Sequence, residues 1–170
     1  MLAVHIKPEI RILAIDDSAL IADHIMIVGV VFRAGEWLDG VLRSELVRDG
    51  LDGTDVIIEM VTGTRHYRQI RVIMLDGVTY GGFNVIDIRE LHRRTGLPVI
   101  VVMRVAPDMG RIRDALRNLP DFDVRWAGIS VDDAAKIVQI STTHSHIPEP
   151  LRVAHLIATG IVCGESRGQA

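Results

Sequence analysis

The sequence is poor in cysteine, lysine and aromatic residues, and these scarcities exclude some classes of protein. A single cysteine, Cys163, excludes an internal disulfide framework and any zinc or iron–sulfur site built from several cysteines. We therefore expect Cys163 to be a small core residue near the end of a helix. Only Lys7 and Lys136 of the 19 basic residues are lysines, and the formal net charge is −3. Nucleic-acid-binding domains usually carry a basic excess, so the overall charge does not by itself indicate such a partner.

Long uncharged apolar runs are also missing. Charged residues interrupt every apolar segment before it reaches the length of about 18 residues that a membrane helix needs, and the N-terminus lacks the pattern of a secretory signal. With 170 residues, 48% of them hydrophobic, the chain can bury one sizeable core. We expect one domain over residues 1–170, in a soluble cytoplasmic protein without a membrane partner. The sequence predicts no oligomeric state.

The order of the apolar segments predicts an α/β protein. Three segments of strand length open the chain closely enough to form an antiparallel meander, at 9–16, 24–33 and 36–47. Helices and strands then alternate. The predicted elements are a helix capped by Thr54 or Asp55, a strand ending at Asp76, a helix capped by Asn84, a strand at 97–104, a helix opened by Pro107, a short strand at 124–129, a helix or strand at 134–140, and a helix ending before Gly164.

This element order is typical of an RNase H-like fold. We predict a mixed five-stranded sheet of order 3-2-1-4-5 with helices on both faces. In that arrangement the first and fourth strands lie side by side and parallel, and their carboxyl ends meet where ligands bind in open α/β sheets. Asp16 and Asp76 end those two strands.

Two aspartates that converge at neighbouring strand ends repel each other unless a cation lies between them or one is protonated. We expect Asp16 and Asp76 to bind Mg²⁺ or Mn²⁺, which accept a sparse set of carboxylates completed by water and phosphate. Metal ions held in this way support hydrolysis of a phosphodiester. Side chains alternate along a strand, so of Asp16 and Asp17 we choose Asp16 as the ligand. Asp17 is then a supporting neighbour on the substrate side or an N-terminal cap, and an ordinary turn residue is the alternative. The alternative for Asp76 is a turn residue satisfied by backbone amides.

Other candidate site residues lie outside these two strands. Asp49, Asp52 and Asp55 surround the start of a helix, and we choose Asp52 as the third metal ligand and catalytic carboxylate, although acidic residues there also complement the helix dipole. Glu149 is the candidate fourth carboxylate, with His144 and His146 in the loop before it. Arg104, at a strand end, could hold a phosphate or stabilise transition-state charge, and a solvated strand-end arginine is the alternative.

The loop after Asp76 carries the candidate substrate contacts. Its glycines, Gly81 among them, allow the backbone to approach a nucleotide closely. A base displaced from its stack could pack on Tyr80 or Phe83. We expect Phe83 to be buried beneath the loop, and we therefore choose Tyr80 as the residue that positions the base.

Four segments in combination resemble an archaeal family, endonuclease dU, which is related to endonuclease V: LAIDDS, LDGVTYGGFNVIDI, GLPVIVVMR and IPEPLRVAHLIATGIVCGES. The resemblance implies an RNase H-like fold, dependence on a divalent metal, and incision of DNA at deaminated bases such as deoxyuridine. Asp16 and Asp76 match the metal-binding aspartates of endonuclease V. Arg104 stands where the relative has a lysine, and the histidine that follows its Asp-Gly pair is absent here.

Two functions of other kinds stay open at this stage. The chain could be a non-catalytic RNase H-like module that binds nucleic acid, or a phosphohydrolase that acts on small nucleotides. The sequence also leaves open whether DNA or RNA is the partner, since one fold serves many functions.

Overall fold

The computed structural model describes residues 5–104 and 122–166, which form a six-stranded mixed sheet with helices on both faces. The strands are β1 (Arg11–Asp17), β2 (His24–Arg33), β3 (Trp37–Val47), β4 (Val72–Asp76), β5 (Thr79–Tyr80), β6 (Asn84–Val85), β7 (Val99–Arg104) and β8 (Phe122–Ala127). The helices are α1 (Gly53–Gly63), α2 (Ile88–Thr95), α3 (Val131–Ser141) and α4 (Glu149–Cys163). β5 and β6 form a separate antiparallel pair.

The order of the main sheet is β3-β2-β1-β4-β7-β8. β1, β2 and β3 form the predicted antiparallel meander, β4 and β7 run parallel to β1, and β8 returns antiparallel to β7. Since β7 is the predicted fifth strand, the predicted order is confirmed, and β8 extends it by one strand at the edge. The segment that could have been helix or strand is helix α3.

Alternation of side chains along the strands builds a core on each face of the sheet. On one face, residues such as Ala14 and Met74 pack with buried residues of α3 and α4. On the other face, residues such as Ile15 and Leu75 pack with buried residues of α1 and α2. The central strands therefore read as continuous apolar runs, and both faces are covered by helices as predicted.

Local capping differs from the prediction at α2. Asp87 is the N-cap, and its carboxylate accepts hydrogen bonds from the backbone N–H groups of Arg89 and Glu90 at 3.0 Å each. Asn84 instead lies in β6, while Gly96 ends the helix in the left-handed conformation at φ 69°. α1 has Asp52 at its N-cap position, so neither Thr54 nor Asp55 starts it.

Two further expectations concern Cys163 and the helix predicted to start at Pro107. Cys163 is exposed at the end of α4, so the prediction that it is a core residue is wrong. The helix expected to start at Pro107 lies outside the described residues. Among the helices of the described ranges, none combines the length and the apolar run that crossing a membrane requires.

Candidate active site

Asp16 and Asp76 occupy matching positions at the carboxyl ends of neighbouring parallel strands. The register pairs Ile15 of β1 with Leu75 of β4, so the next residue of each strand is an aspartate. Both aspartates alternate with residues of the core beneath α4, which places both on that face of the sheet. Adjacent strands lie about 4.8 Å apart, so the register places these two residues side by side on the sheet.

Asp16 is buried, and two hydrogen bonds orient its carboxylate. Oδ1 accepts the backbone N–H of Asp17 at 2.8 Å, and Oδ2 lies 2.9 Å from Nδ1 of His155. Because an ionised carboxylate only accepts hydrogen bonds, His155 carries its proton on Nδ1 in this contact. Each carboxylate oxygen keeps a further lone pair for another partner.

His155 is a site residue that the sequence analysis did not single out. It lies one turn after the buried Leu151 and next to the buried Ala154, on the side of α4 that packs on the sheet. A polar residue among apolar ones on a helix face is a signal for such a role. The signal becomes specific only when the fold places α4 over β1, because the contact joins residues 139 positions apart.

Asp17 points to the opposite face of the sheet from Asp16. Its Oδ2 accepts the backbone N–H of Gly81 at 2.6 Å and so joins β1 to the loop after β4. Burial raises the pKa of the Asp17 carboxyl to about 6, the hydrogen bond from Gly81 opposes that shift, and the charge of Asp16 adds to it. Gly81 is itself buried at φ 52°, and a Cβ there would collide with Leu46. The close approach that Gly81 permits is therefore to the core, not to an open surface as expected.

Tyr80 is fully buried, so its ring is not available for a base to stack on, contrary to expectation. Its hydroxyl donates to the carbonyl of Ile15 at 2.8 Å and accepts the N–H of Asp76 at 3.0 Å. Burial, with the charges of Asp16 and Asp76 next in effect, raises the pKa of Tyr80 well above its ordinary value. The hydroxyl thus joins the ends of β1 and β4 beneath the two aspartates.

Phe83, expected to be buried, is 81% exposed. It lies between β5 and β6, and its backbone N–H donates to Asp49 at 2.9 Å. Tyr80 and Phe83 therefore have the reverse of the expected environments, and Phe83 is the aromatic ring of this loop that solvent reaches.

The three acidic residues near the start of α1 all have structural partners. Asp52 accepts the backbone N–H of Val47 at 3.2 Å and the side-chain amide of Asn84 at 2.7 Å. Asn84 in turn accepts the N–H of Gly53 at 2.9 Å, so this network anchors the start of α1 to β6. Asp49 holds the loop that carries Phe83, and Asp55 pairs with Arg94.

Glu149 opens α4 and is buried, with both its oxygens bound by Arg152 at 2.6 and 2.8 Å. The hydrogen bonds from Arg152 hold the pKa of Glu149 below its usual range. His144 lies 3.9 Å from the same carboxylate. Arg104 is the last residue of β7, and its side chain lies outside the described residues.

The donor set suits a divalent cation shared with a substrate. Among the side chains that the structure describes, no three from His, Cys, Asp or Glu are arranged to hold one metal ion together, so Asp52 and Glu149 do not complete a cluster with the two aspartates. Within the described part of the chain, Asp16 and Asp76 supply two carboxylates at the adjacent ends of β1 and β4. Mg²⁺ is often bound by one or two carboxylates, with water and substrate phosphate as the other ligands. The residues present fit that mode of binding.

Comparison with known proteins gives the family. The sequence model of the family described as endonuclease dU matches residues 8–127 and 120–162. A UPF0215 protein of Methanosarcina acetivorans is 58% identical, with 98% of this chain and 97% of the relative covered. The crystal structure of a protein of unknown function from Archaeoglobus fulgidus is 37% identical with a TM-score of 0.79, covering 90% of this chain and 98% of that one.

More distant structures share the fold. Human ENDOV superposes with a TM-score of 0.65 at 15% identity, covering 87% of this chain and 82% of that one. Endonuclease V of Ciona intestinalis, in complex with a DNA that contains an inosine followed by a ribo-adenosine, superposes with a TM-score of 0.59 at 13% identity, covering 85% and 82%. The chain described here therefore belongs to the endonuclease dU family and has the RNase H-like fold of endonuclease V.

Proposed function

We propose that this protein is a divalent-metal-dependent endonuclease that incises DNA at or near deaminated bases such as deoxyuridine. The observation that carries the proposal is the pair Asp16 and Asp76, adjacent on one face at the carboxyl ends of β1 and β4. Membership of the endonuclease dU family supports the class of reaction. The DNA-bound endonuclease V structure with the same fold supports DNA as the partner to test first.

In the proposed site, Asp16 and Asp76 hold the metal, Mg²⁺ or Mn²⁺. The metal would supply charge stabilisation at the phosphodiester and would lower the pKa of a bound water. His155 and the Asp17 amide fix the orientation of the Asp16 carboxylate, and Tyr80 fixes the backbone at Asp76. Hydrogen-bond partners of this kind orient the metal ligands, and replacing one commonly lowers metal affinity or activity by about 10- to 100-fold.

We assign the base contact to Phe83 instead of Tyr80. Its ring is exposed, and the loop that carries it is fixed by Asp49 and, through Gly81, by Asp17 next to the metal-site aspartate. Stacking on an aromatic ring tolerates any base, because every base has a π-face. Phe83 would therefore help to hold a displaced base, while the choice of base depends on other contacts.

The test uses end-labelled oligonucleotides of DNA and of RNA that carry a single deaminated base, uracil or hypoxanthine, together with undamaged DNA. Each oligonucleotide is incubated with wild-type protein, with the Asp16→Asn variant or with the Asp76→Asn variant. Each protein is tested in the presence of Mg²⁺, of Mn²⁺ or of a chelator. Asp39→Asn is the matched control, because Asp39 pairs with Arg11 and Arg33 at the far end of β1. We expect metal-dependent cuts near the lesion that both site variants lose and the control retains.

Other results would indicate a different function for the protein. If folded protein cuts none of these substrates but binds them, the endonuclease proposal fails and a non-catalytic binding module is supported. If phosphate is released only from free nucleotides, the protein is a small-nucleotide phosphohydrolase.

A further inference from the structure

A cavity of about 760 Å³ lies at the end of the sheet opposite Asp16 and Asp76. Its lining includes Arg11 at the start of β1, Arg71 just before β4 and Pro98 just before β7. These three strands are parallel, so their amino ends share one edge of the sheet. Arg11 and Asp16 are separated along β1 by roughly 16 Å at 3.3 Å per residue. A ligand in this cavity is therefore out of reach of the two aspartates.

The lining of the cavity is strongly basic, although the protein is acidic. Its basic residues are Lys7, Arg11, Arg68, Arg71, His5 and His92. Four permanent cations against the single carboxylate of Glu9 give the lining a net charge of +3 with neutral histidines. The whole chain carries −3, so the remainder carries −6. Like charges gathered at one concave site raise the local concentration of an oppositely charged ligand.

Most of these cations are not neutralised by carboxylates of the protein. Within the described ranges, Lys7, Arg68 and Arg71 form no ion pair, while Arg11 binds Asp39 through Nε at 3.1 Å. One Nη of Arg71 donates to the carbonyl of Arg68 at 3.0 Å, which positions the guanidinium without neutralising its charge. A guanidinium has five N–H donors, so Arg71 keeps donors for a ligand.

One wall of the cavity is set by a glycine and a histidine. Gly128 has φ 73°, and a Cβ there would collide with the ring of His92. Nδ1 of His92 lies 2.8 Å from the carbonyl of Leu97, so Nδ1 carries the proton and Nε2 is the other polar atom of the ring. Ile10, Leu97 and Pro98 add apolar surface. The cavity thus combines an apolar surface with convergent cationic groups, as small-molecule sites do.

We propose that this cavity binds the phosphate of a nucleotide-sized ligand, with Arg68 and Arg71 as its principal phosphate contacts. Arginine suits this role because its planar fork matches phosphate oxygens in bidentate hydrogen bonds. The volume lies within the range of about 300 to 1,000 Å³ that small-ligand sites occupy, so a base or sugar has room beside the phosphate. The phosphate can belong to a free nucleotide or to a nucleotide unit of a strand. The site is separate from the proposed nuclease centre and does not depend on it.

The test measures binding of pyrophosphate, ADP and a short single-stranded oligodeoxynucleotide by calorimetry, with chelator present so that no metal occupies the carboxylate pair. The variant is the double replacement Arg68→Gln with Arg71→Gln. The control, Arg43→Gln with Arg93→Gln, makes the same change in net charge at exposed arginines outside the cavity. Lys7→Gln serves as a second, independent cavity variant. Backbone amide chemical shifts locate the bound probe.

We expect pyrophosphate and ADP to bind, with shift changes at Gly96 and Gly128, and the cavity double variant to weaken binding by about tenfold or more while the control does not. If only the oligodeoxynucleotide binds, and the cavity double variant weakens that binding while the control does not, the proposal holds. The bound phosphate then belongs to a nucleic-acid strand. The proposal is overturned if none of the probes binds at millimolar concentration. It is also overturned if the cavity variants bind like wild type, or if the shift changes centre on Asp76 and Gly77.

Discussion

Replacing Tyr80 by phenylalanine tests whether the two aspartates depend on the hydroxyl beneath them. The ring would remain in the core, but the carbonyl of Ile15 and the N–H of Asp76 would both lose their hydrogen-bond partner. A buried polar group left unsatisfied costs about 1–3 kcal/mol, so two such groups predict a loss of about 2–6 kcal/mol in the free energy of unfolding. The same change releases the ends of β1 and β4 from each other. We expect cleavage to fall by at least about tenfold, since small displacements of reacting groups are costly.

The other tyrosine of the chain supplies the control. The hydroxyl of Tyr67 donates to the carbonyl of Thr95 at 2.6 Å, so Tyr67→Phe also removes a hydrogen bond, but away from the aspartates. We expect it to lose about 0.5–1.5 kcal/mol and to keep wild-type cleavage. Stability is measured by urea unfolding followed by far-ultraviolet circular dichroism, and cleavage under conditions where each variant is fully folded.

Two outcomes would refute the reasoning about Tyr80. If Tyr80→Phe unfolds at the same urea concentration as wild type, its hydroxyl does not satisfy the two buried groups. If folded Tyr80→Phe cleaves as well as Tyr67→Phe, the hydroxyl does not position the site.

Four further predictions follow from individual contacts. His155→Gln removes the imidazole that orients Asp16, so the affinity for Mn²⁺, measured by calorimetry, should fall by about 10- to 100-fold. The control His144→Gln should leave this affinity unchanged. Equal affinities in the two variants would exclude a positioning role for His155. Phe83→Ala should weaken oligonucleotide binding by about 5- to 150-fold, because stacking of a base on the exposed ring is worth about 1–3 kcal/mol. The control Val85→Ala, on the same hairpin, should not weaken binding. Identical dissociation constants for the two variants would exclude a contact between Phe83 and a base. Gly81→Ala should destabilise the protein more than Gly96→Ala, because both glycines have positive φ but only Gly81 would meet a core side chain, as thermal unfolding can measure. Glu149→Gln should cost about 1–2 kcal/mol at pH 7, because Arg152 keeps the ionised form of Glu149. Since the pKa of Glu149 is lowered in the folded state, this contribution is complete above the ordinary value of 4.5 and disappears as the pH falls through the lowered pKa. A difference in urea unfolding that stays constant from pH 7 to about pH 3 would contradict that linkage.

The sequence was sufficient to predict the sheet order and the meeting of Asp16 with Asp76. Both aspartates follow apolar strands, and once the strands are ordered, parallel neighbours must end at the same edge. Side-chain alternation then separates Asp16 from Asp17 without further information. These conclusions depend on local pattern and topology, which a sequence expresses directly.

The environments of Tyr80 and Phe83 could not be predicted in the same way. Gly81 and Gly82 between them have φ values of 52° and 90°, so the chain turns and the alternation rule does not carry across the pair. The role of His155 depends on where α4 lies over β1, and that of Asp52 on contacts with Val47 and Asn84. Such contacts follow from tertiary packing, which leaves little trace in local sequence.

The formal net charge conceals a separation of charge between the two ends of the sheet. Asp16, Asp17 and Asp76 lie at the carboxyl end of β1 and β4, where a phosphodiester can approach only if cations offset the carboxylates. Arg11 and Arg71 lie at the amino end, among the other cations of the cavity. The formal charge of −3 is a total over the whole chain and describes neither region. Raising the salt concentration should therefore weaken phosphate binding at the basic cavity, and removing divalent metal should abolish cleavage at the acidic edge, so the two dependences can be measured separately on one protein.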